Sequence, residues 1–253
     1  MANNEPIRRR LAAAERFSNA AERYEQTAQI QKQAAVLFDA WLAELKLDAP
    51  QRIAEIGCGT GLLTRLLHAR FPNAAIEATD LAPAMVDYCR RVLGDAEGIR
   101  YRVCDGRDAR FDPMPDWIVS AMCLQWLRPL RPVLQHHLAQ SKILAFSLVL
   151  DGSFSVWRAA HAHVGIEPGL HSFPGFDALL AECRSLGAAH VHAKRISLSE
   201  AHANGMEFAA SLRLIGADHP RDGHQPSNLR PVLRQLQNGC DANYEIGFFC
   251  IRM

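Results

Sequence analysis

The sequence predicts an α/β fold: a doubly wound, mostly parallel sheet of seven strands, with a helical lid inserted between the last two strands. Three observations lead there. Short apolar runs alternate with amphipathic helical stretches five times. A turn carrying Gly57, Gly59 and Gly61 separates the first run from the helix after it. Two further strand-like segments lie near the C-terminus, with a largely helical stretch between them.

Upstream of the sheet, Ile30, Ala34, Leu37, Phe38, Trp41, Leu42 and Leu45 recur at helical spacing, within an N-terminal helical segment over residues 8–47. RIAEI reads as the first strand, and Leu62, Leu63, Leu66 and Leu67 then line one face of a helix. AAIEATD is the second strand and PAMVDYCRRVL the helix after it. IRYRVCD, DWIVSA and KILAFSLVL follow as strands three to five. Past Asp151, FDALLAECRSLGA reads as a helix and HVHAKRISL as a strand. The lid is expected over about residues 199–239, broken by the flexible tract GADHPRDGHQPS, and NYEIGFFCIRM closes the sheet. A single domain over residues 1–253 accounts for all of it.

Composition narrows the function. The 253 residues are 49% hydrophobic, enough for a sizeable core. A net charge of +1 without a long basic stripe argues against nucleic acid. The opening MANNEPIRRR has no apolar signal segment, and no apolar run is long enough for a bilayer. A cytoplasmic protein that does not engage membranes is expected. Seven cysteines without CxxC spacing read as reduced thiols. The pairs His136–His137, His161/His163 and His190/His192 do not share a helix face, and no Cys or carboxylate completes a metal set. No metal is expected.

The glycine turn carries the chemistry. Strand, glycine turn and helix place backbone N–H groups where a ligand can approach the main chain. The spacing is G-x-G-x-G after Glu55, not the G-x-G-x-x-G of a dinucleotide site. Asp80 ends the second strand, where a carboxylate can accept both hydrogens of a ribose diol.

EIGCGTG together with TDLAPAM resembles the class I S-adenosylmethionine-dependent methyltransferases, a Rossmann-like superfamily. The resemblance implies that Glu55 and the turn Gly57, Cys58, Gly59 and Gly61 face the methionine part of S-adenosylmethionine. It implies that Asp80 holds the ribose, that Leu81 and Met85 pack on the adenine, and that Asp105 accepts from the adenine amino group. Gly106 and Ser120 complete that set.

The segments RFSNAAERYEQTAQIQKQAA, CLQWL, LHSFPGFDALL, SLRLIGADH and YEIGFF sharpen it. In this order they resemble the malonyl-acyl carrier protein O-methyltransferases of biotin synthesis. That resemblance implies methyl transfer to the free carboxylate of a malonyl thioester, with S-adenosylhomocysteine as product. It casts Arg213 as the partner of the substrate carboxylate and Tyr24 as a gate over the sulfonium. Gln125 and Trp126 stand where reacting groups gather, and His171 and Phe173 lid the acceptor side. The sequence departs from the family at Ala121, where an Asn is usual, and at HLAQSK, where a Pro-Gly-Gly turn is usual. Another small acceptor, such as trans-aconitate or a quinone ring, is the alternative. An acidic carrier protein as partner calls for local basic residues, with Arg8–Arg10, Arg128, Arg131, Lys194 and Arg195 as candidates, on a monomer.

Overall fold

The computed structural model describes residues 5–94, 98–215, 217 and 228–253, with the side chains of residues 5–11 and 13 outside that description. Two helices open the chain, α1 (Glu5–Thr27) and α2 (Gln29–Glu44). The sheet core follows: β1 (Arg52–Ile56), α3 (Leu62–Arg70), β2 (Ala75–Asp80), α4 (Pro83–Leu93), β3 (Ile99–Val103), β4 (Trp117–Ala121), α5 (Leu130–Leu138) and β5 (Ile143–Val149). Then come α6 (Ser155–His163), α7 (Phe176–Arg184), β6 (His190–His202), α8 (Gly205–Leu214), α9 (Arg230–Gln235) and β7 (Cys240–Arg252).

The seven strands run in the order β3-β2-β1-β4-β5-β7-β6. The first five pair in parallel, and β7 inserts antiparallel between β5 and β6. The order reverses direction between β1 and β4, so a crevice opens beyond the C-terminal ends of those two strands. The expected sheet is present, and its lid lies between its last two strands in chain order.

Local chemistry explains the elements that frame the crevice. Pro83 sits in the first turn of α4, where its missing N–H costs nothing, and Met85, Val86 and Cys89 form the buried face. At α8, the Asn204 side chain accepts from the N–H groups of Met206 and Glu207, both at 3.0 Å. Glu207 reaches back to accept from the Ala203 N–H, just before the cap. β5 is buried along its whole length, as a central strand covered on both faces must be.

Three boundaries differ from expectation. Residues Ser199–His202 belong to β6, not to the lid, because they pair with Cys240–Asn243 of β7. The N-terminal segment is two helices, parted at Ala28, whose φ of −80° and ψ of 55° interrupt the helix. Helix α6 was not expected; Trp157, Ala160 and His161 form its buried face. Leu37 points outward at 42% exposure, one position off the buried stripe of α2. The tract GADHPRDGHQPS lies outside the described residues, apart from Ala217.

Helix α2 is anchored in the main core. Phe38 is fully buried, with its ring 5.3 Å from Phe248 and 6.1 Å from Trp41. Phe38→Ala should lower unfolding free energy by about 3–5 kcal/mol through the cavity it leaves. Urea denaturation would report this as a lower midpoint at unchanged slope. A change below about 1 kcal/mol would show that α2 is not part of the cooperative core.

Candidate functional site

The crevice is built on the turn after β1. Gly57 has φ of 72°, and a Cβ there would fall 2.2 Å from the Cys123 Sγ. Gly59, with φ of 53°, has open space on its outer side, so its backbone is accessible to a ligand. Gly61 faces elsewhere: a Cβ there would meet Cys89 and Leu93 of α4, so it serves helix packing rather than the cleft.

Asp80 ties this turn to the end of β2. One carboxylate oxygen accepts from the Gly59 N–H and the other from the Ala82 N–H, both at 2.9 Å. Burial raises its pKa, while these backbone donors oppose the rise. Each oxygen keeps a lone pair for a further donor. Behind it, Glu55 is 1% exposed and accepts from Thr64 Oγ1 at 2.6 Å. Burial pushes the Glu55 carboxyl up to about 7; Thr64 opposes this and Asp80 adds to it.

Three cavities meet at this crevice. A cleft of about 130 Å³ is lined by Gly57, Gly59, Asp80, Leu81, Met85 and Gly106, and roofed by Ala14, Phe17 and Tyr24 of α1. A recess of about 40 Å³ lies against Glu55, Cys58 and Thr60. A larger pocket of about 270 Å³ is walled by Phe154, Trp157, His171, Phe173 and Tyr244, with Arg213 on its border. Tyr24 and Met122 border all three. Phe17 and Trp126 border the two larger ones, and Trp126 packs edge-on against Phe17 at 5.7 Å and His171 at 5.1 Å.

Most of the expected residues converge here; besides Gly61, Ser120 and Asp105 do not. Ser120 is fully buried and donates to the Ile56 carbonyl at 2.8 Å, so it staples β4 to β1 rather than lining a cavity. Asp105 does not line the cleft; Arg107 does. Asp105 accepts from the Arg107 guanidinium at 3.1 Å through each oxygen, and Arg107 also donates to the Trp126 carbonyl at 3.1 Å. Gln125 borders the larger pocket and is nine-tenths buried. Among the described residues lining that pocket, Arg213 is the only Arg or Lys; it is exposed at the border.

Sequence reasoning missed Arg107, Met122 and His137. The fully buried His137 donates from Nε2 to the Gly106 carbonyl at 2.7 Å, and its Nδ1 accepts from Gln140 at 3.3 Å. Burial pushes its pKa down to about 4, so it stays neutral and pins the cleft wall. Among the described residues, no group of three or more metal-ligating side chains gathers. Of the basic residues expected to draw a partner, Arg131 bonds Ser185 at 2.9 Å and lies 3.9 Å from Glu182. Lys194 lies 3.9 Å from Glu44, and Arg195 pairs with Glu245 at 2.9 Å. Arg128 donates to the Ser172 carbonyl beside the larger pocket, while the side chains of Arg8–Arg10 lie outside the described residues.

The residues fit S-adenosylmethionine: an acceptor pair at Asp80, an apolar slot at Leu81 and Met85, and an acidic recess at Glu55. Glu55 also makes folding pH-sensitive. Its folded pKa lies above its unfolded value, so the folded state holds the extra proton and stability falls as pH rises from about 4.5 to 7. Ionising it costs on the order of 3 kcal/mol, at about 1.4 kcal/mol per pKa unit. Glu55→Gln should therefore melt above wild type at pH 8, with the gap closing toward pH 5. A gap independent of pH in thermal melts without ligand would contradict this assignment.

Comparison with known proteins agrees with the geometry. A methyltransferase-domain family model matches residues 53–141. Among solved structures, magnesium protoporphyrin IX methyltransferase from Synechocystis with bound SAH aligns at a TM-score of 0.56 and 13% identity, covering 88% of this chain and 83% of that one. At that identity the likeness concerns the fold alone. The biotin biosynthesis bifunctional protein BioCD of Bordetella avium is 36% identical over 93% of this chain, which spans 51% of that protein's length. The malonyl-[acyl-carrier protein] O-methyltransferase of Magnetococcus marinus is 32% identical, covering 85% of this chain and 80% of its own. That of Anoxybacillus flavithermus is 31% identical, covering 88% and 87%. Shared identity over most of both chains, on a sheet with this crevice, settles the kinship: the chain belongs to the malonyl-[acyl-carrier protein] O-methyltransferase family.

Proposed function

We propose that this protein transfers the methyl group of S-adenosylmethionine to the free carboxylate of a malonyl group held as a thioester on acyl carrier protein. The observation that carries the reading is the shared wall. The cleft fitted to the methyl donor and an apolar pocket bordered by one guanidinium meet at Tyr24, Met122 and Trp126. The named activity of its relatives points the same way.

S-adenosylmethionine supplies an electrophilic methyl group when bound. Asp80 would hold the ribose hydroxyls, Leu81 and Met85 would pack on the adenine, and Glu55 would face the methionine ammonium. Asp105 acts here through Arg107, which it holds at the wall of the cleft. The acceptor carboxylate is ionised at neutral pH, since carboxyl pKa values lie near about 4. It becomes a neutral ester, so no proton has to move and no general base is needed. The chain's own side chains agree. Burial raises the pKa of the Tyr24 phenol and of the Cys123 thiol, so both stay protonated at the junction.

What the pocket contributes is orientation and dryness. Arg213 can hold one carboxylate oxygen and leave the other facing the donor. Trp126, His171 and Phe173 shield the junction from water. The product ester hides a charge, so chain-elongating enzymes with apolar pockets can accept the disguised acyl group. Among the described residues, no helix is long and apolar enough to cross a membrane. That fits a cytoplasmic enzyme working on a carrier-bound substrate.

Incubating the protein with malonyl-acyl carrier protein and labelled S-adenosylmethionine should yield a carrier heavier by one methyl group in mass spectrometry. Labelling of free malonate or trans-aconitate with an untouched carrier would overturn the reading. Arg213→Ala should raise the KM for the malonyl substrate at least about tenfold, as loss of a charge-assisted bond requires. Affinity for S-adenosylhomocysteine, measured by calorimetry, should stay the same. Unchanged KM would remove Arg213 from the acceptor site.

A further inference from the structure

Met122 borders all three cavities, as Tyr24 does, and its backbone conformation is costly. Its φ is 52°, in the left-handed region where a Cβ crowds the main chain. Two clamps hold it there. Its N–H reaches past the end of β4 to Ser147, with the carbonyl at 2.9 Å and the hydroxyl at 3.2 Å. Its carbonyl accepts from the Gln125 side-chain amide at 2.7 Å.

Gln125 makes this bond at a cost of its own. The residue is 9% exposed, and its Oε1 is buried without a hydrogen-bond partner. A polar group buried with half its capacity unmet needs a reason to be there. The Met122 carbonyl also fixes which end of the amide faces it, since only the NH₂ end can donate.

We infer that Gln125 is a positioning residue for methyl transfer. By clamping the Met122 carbonyl, it keeps the left-handed turn that forms the common wall of donor cleft and acceptor pocket. The turn sets the line along which methyl carbon and carboxylate oxygen meet. The inference rests on the methyl-transfer reading above. Without the clamp, Met122 relaxes toward negative φ and the wall moves. Reaction rate is sensitive to misplacement of about 1 Å. Gln125 does not line the donor cleft, so the loss falls on kcat and not on cofactor affinity.

A double-mutant cycle tests this with four full-length proteins: wild type, Gln125→Leu, Met122→Gly and the double variant. Glycine adopts the left-handed conformation without help. Gln125→Leu should lower kcat on malonyl-acyl carrier protein about 10–100-fold. Its affinity for S-adenosylhomocysteine should stay within about twofold. In the Met122→Gly background the same substitution should cost less than about threefold in kcat. Equal losses in both backgrounds would overturn the inference, because the amide would then act on the substrate itself. A loss confined to KM would overturn it as well.

Thermal melting carries the cycle if Gln125→Leu is too unstable to assay. A smaller drop in Tm in the glycine background supports the clamp, and an equal drop overturns it. If the wild type moves no methyl group to malonyl-acyl carrier protein, the functional reading fails. The melting cycle still decides whether Gln125 holds Met122.

Discussion

The carboxylate of Asp80 organises the site. It stands at the end of β2 and takes one backbone donor from the glycine turn and one from the start of α4. Two loops that would otherwise move separately are joined through one side chain. The cleft floor, the slot at Met85 and the recess at Glu55 all take their shape from that junction. The arrangement places a carboxylate among buried neighbours, and the raised pKa values of Asp80 and Glu55 express the strain of holding charge there. A cationic ligand would offset that cost.

The roof of the cleft is held differently from its floor. α2 is part of the main core, through Phe38 and Trp41 against Phe248. α1 rests on a small separate cluster around Ala14, Ala21, Ala82 and Met85. It is tied further by polar contacts: Glu25 with Arg65 and with the Tyr88 hydroxyl at 3.1 Å, and Glu22 with Arg91 at 2.7 Å. The Glu22–Arg91 pair is exposed and screened by solvent, whereas Glu25–Arg65 is partly buried.

The elements easiest to read in the sequence are those whose own residues decide them. RIAEI and PAMVDYCRRVL have the bounds their patterns suggest, because burial and a proline at the helix start act locally. Helix α6 was hidden because SVWRAAHAH mixes a β-branched residue, histidines and a preceding glycine turn, and only contact with β7 and α9 gives it a buried face. The lid boundary was misplaced for a related reason. Ser199–His202 carries no strand signal of its own, and its conformation comes from the ladder that Cys240–Asn243 offers.

By itself, the sequence determined the parallel sheet, the glycine turn after β1, the acidic residue ending β2 and the aromatic segment after β4. Each follows from short-range constraints: period, φ freedom and position relative to a strand end. Only the tertiary structure decided that Asp105 stands behind Arg107, that Ser120 is a staple, and that Met122 is held left-handed where three cavities meet. It also placed Arg131, Lys194 and Arg195 beside Glu182, Glu44 and Glu245. The reason is physical. A residue's type states which bonds it can make, but which it does make depends on groups tens of residues away, brought within about 3 Å only when the sheet is assembled.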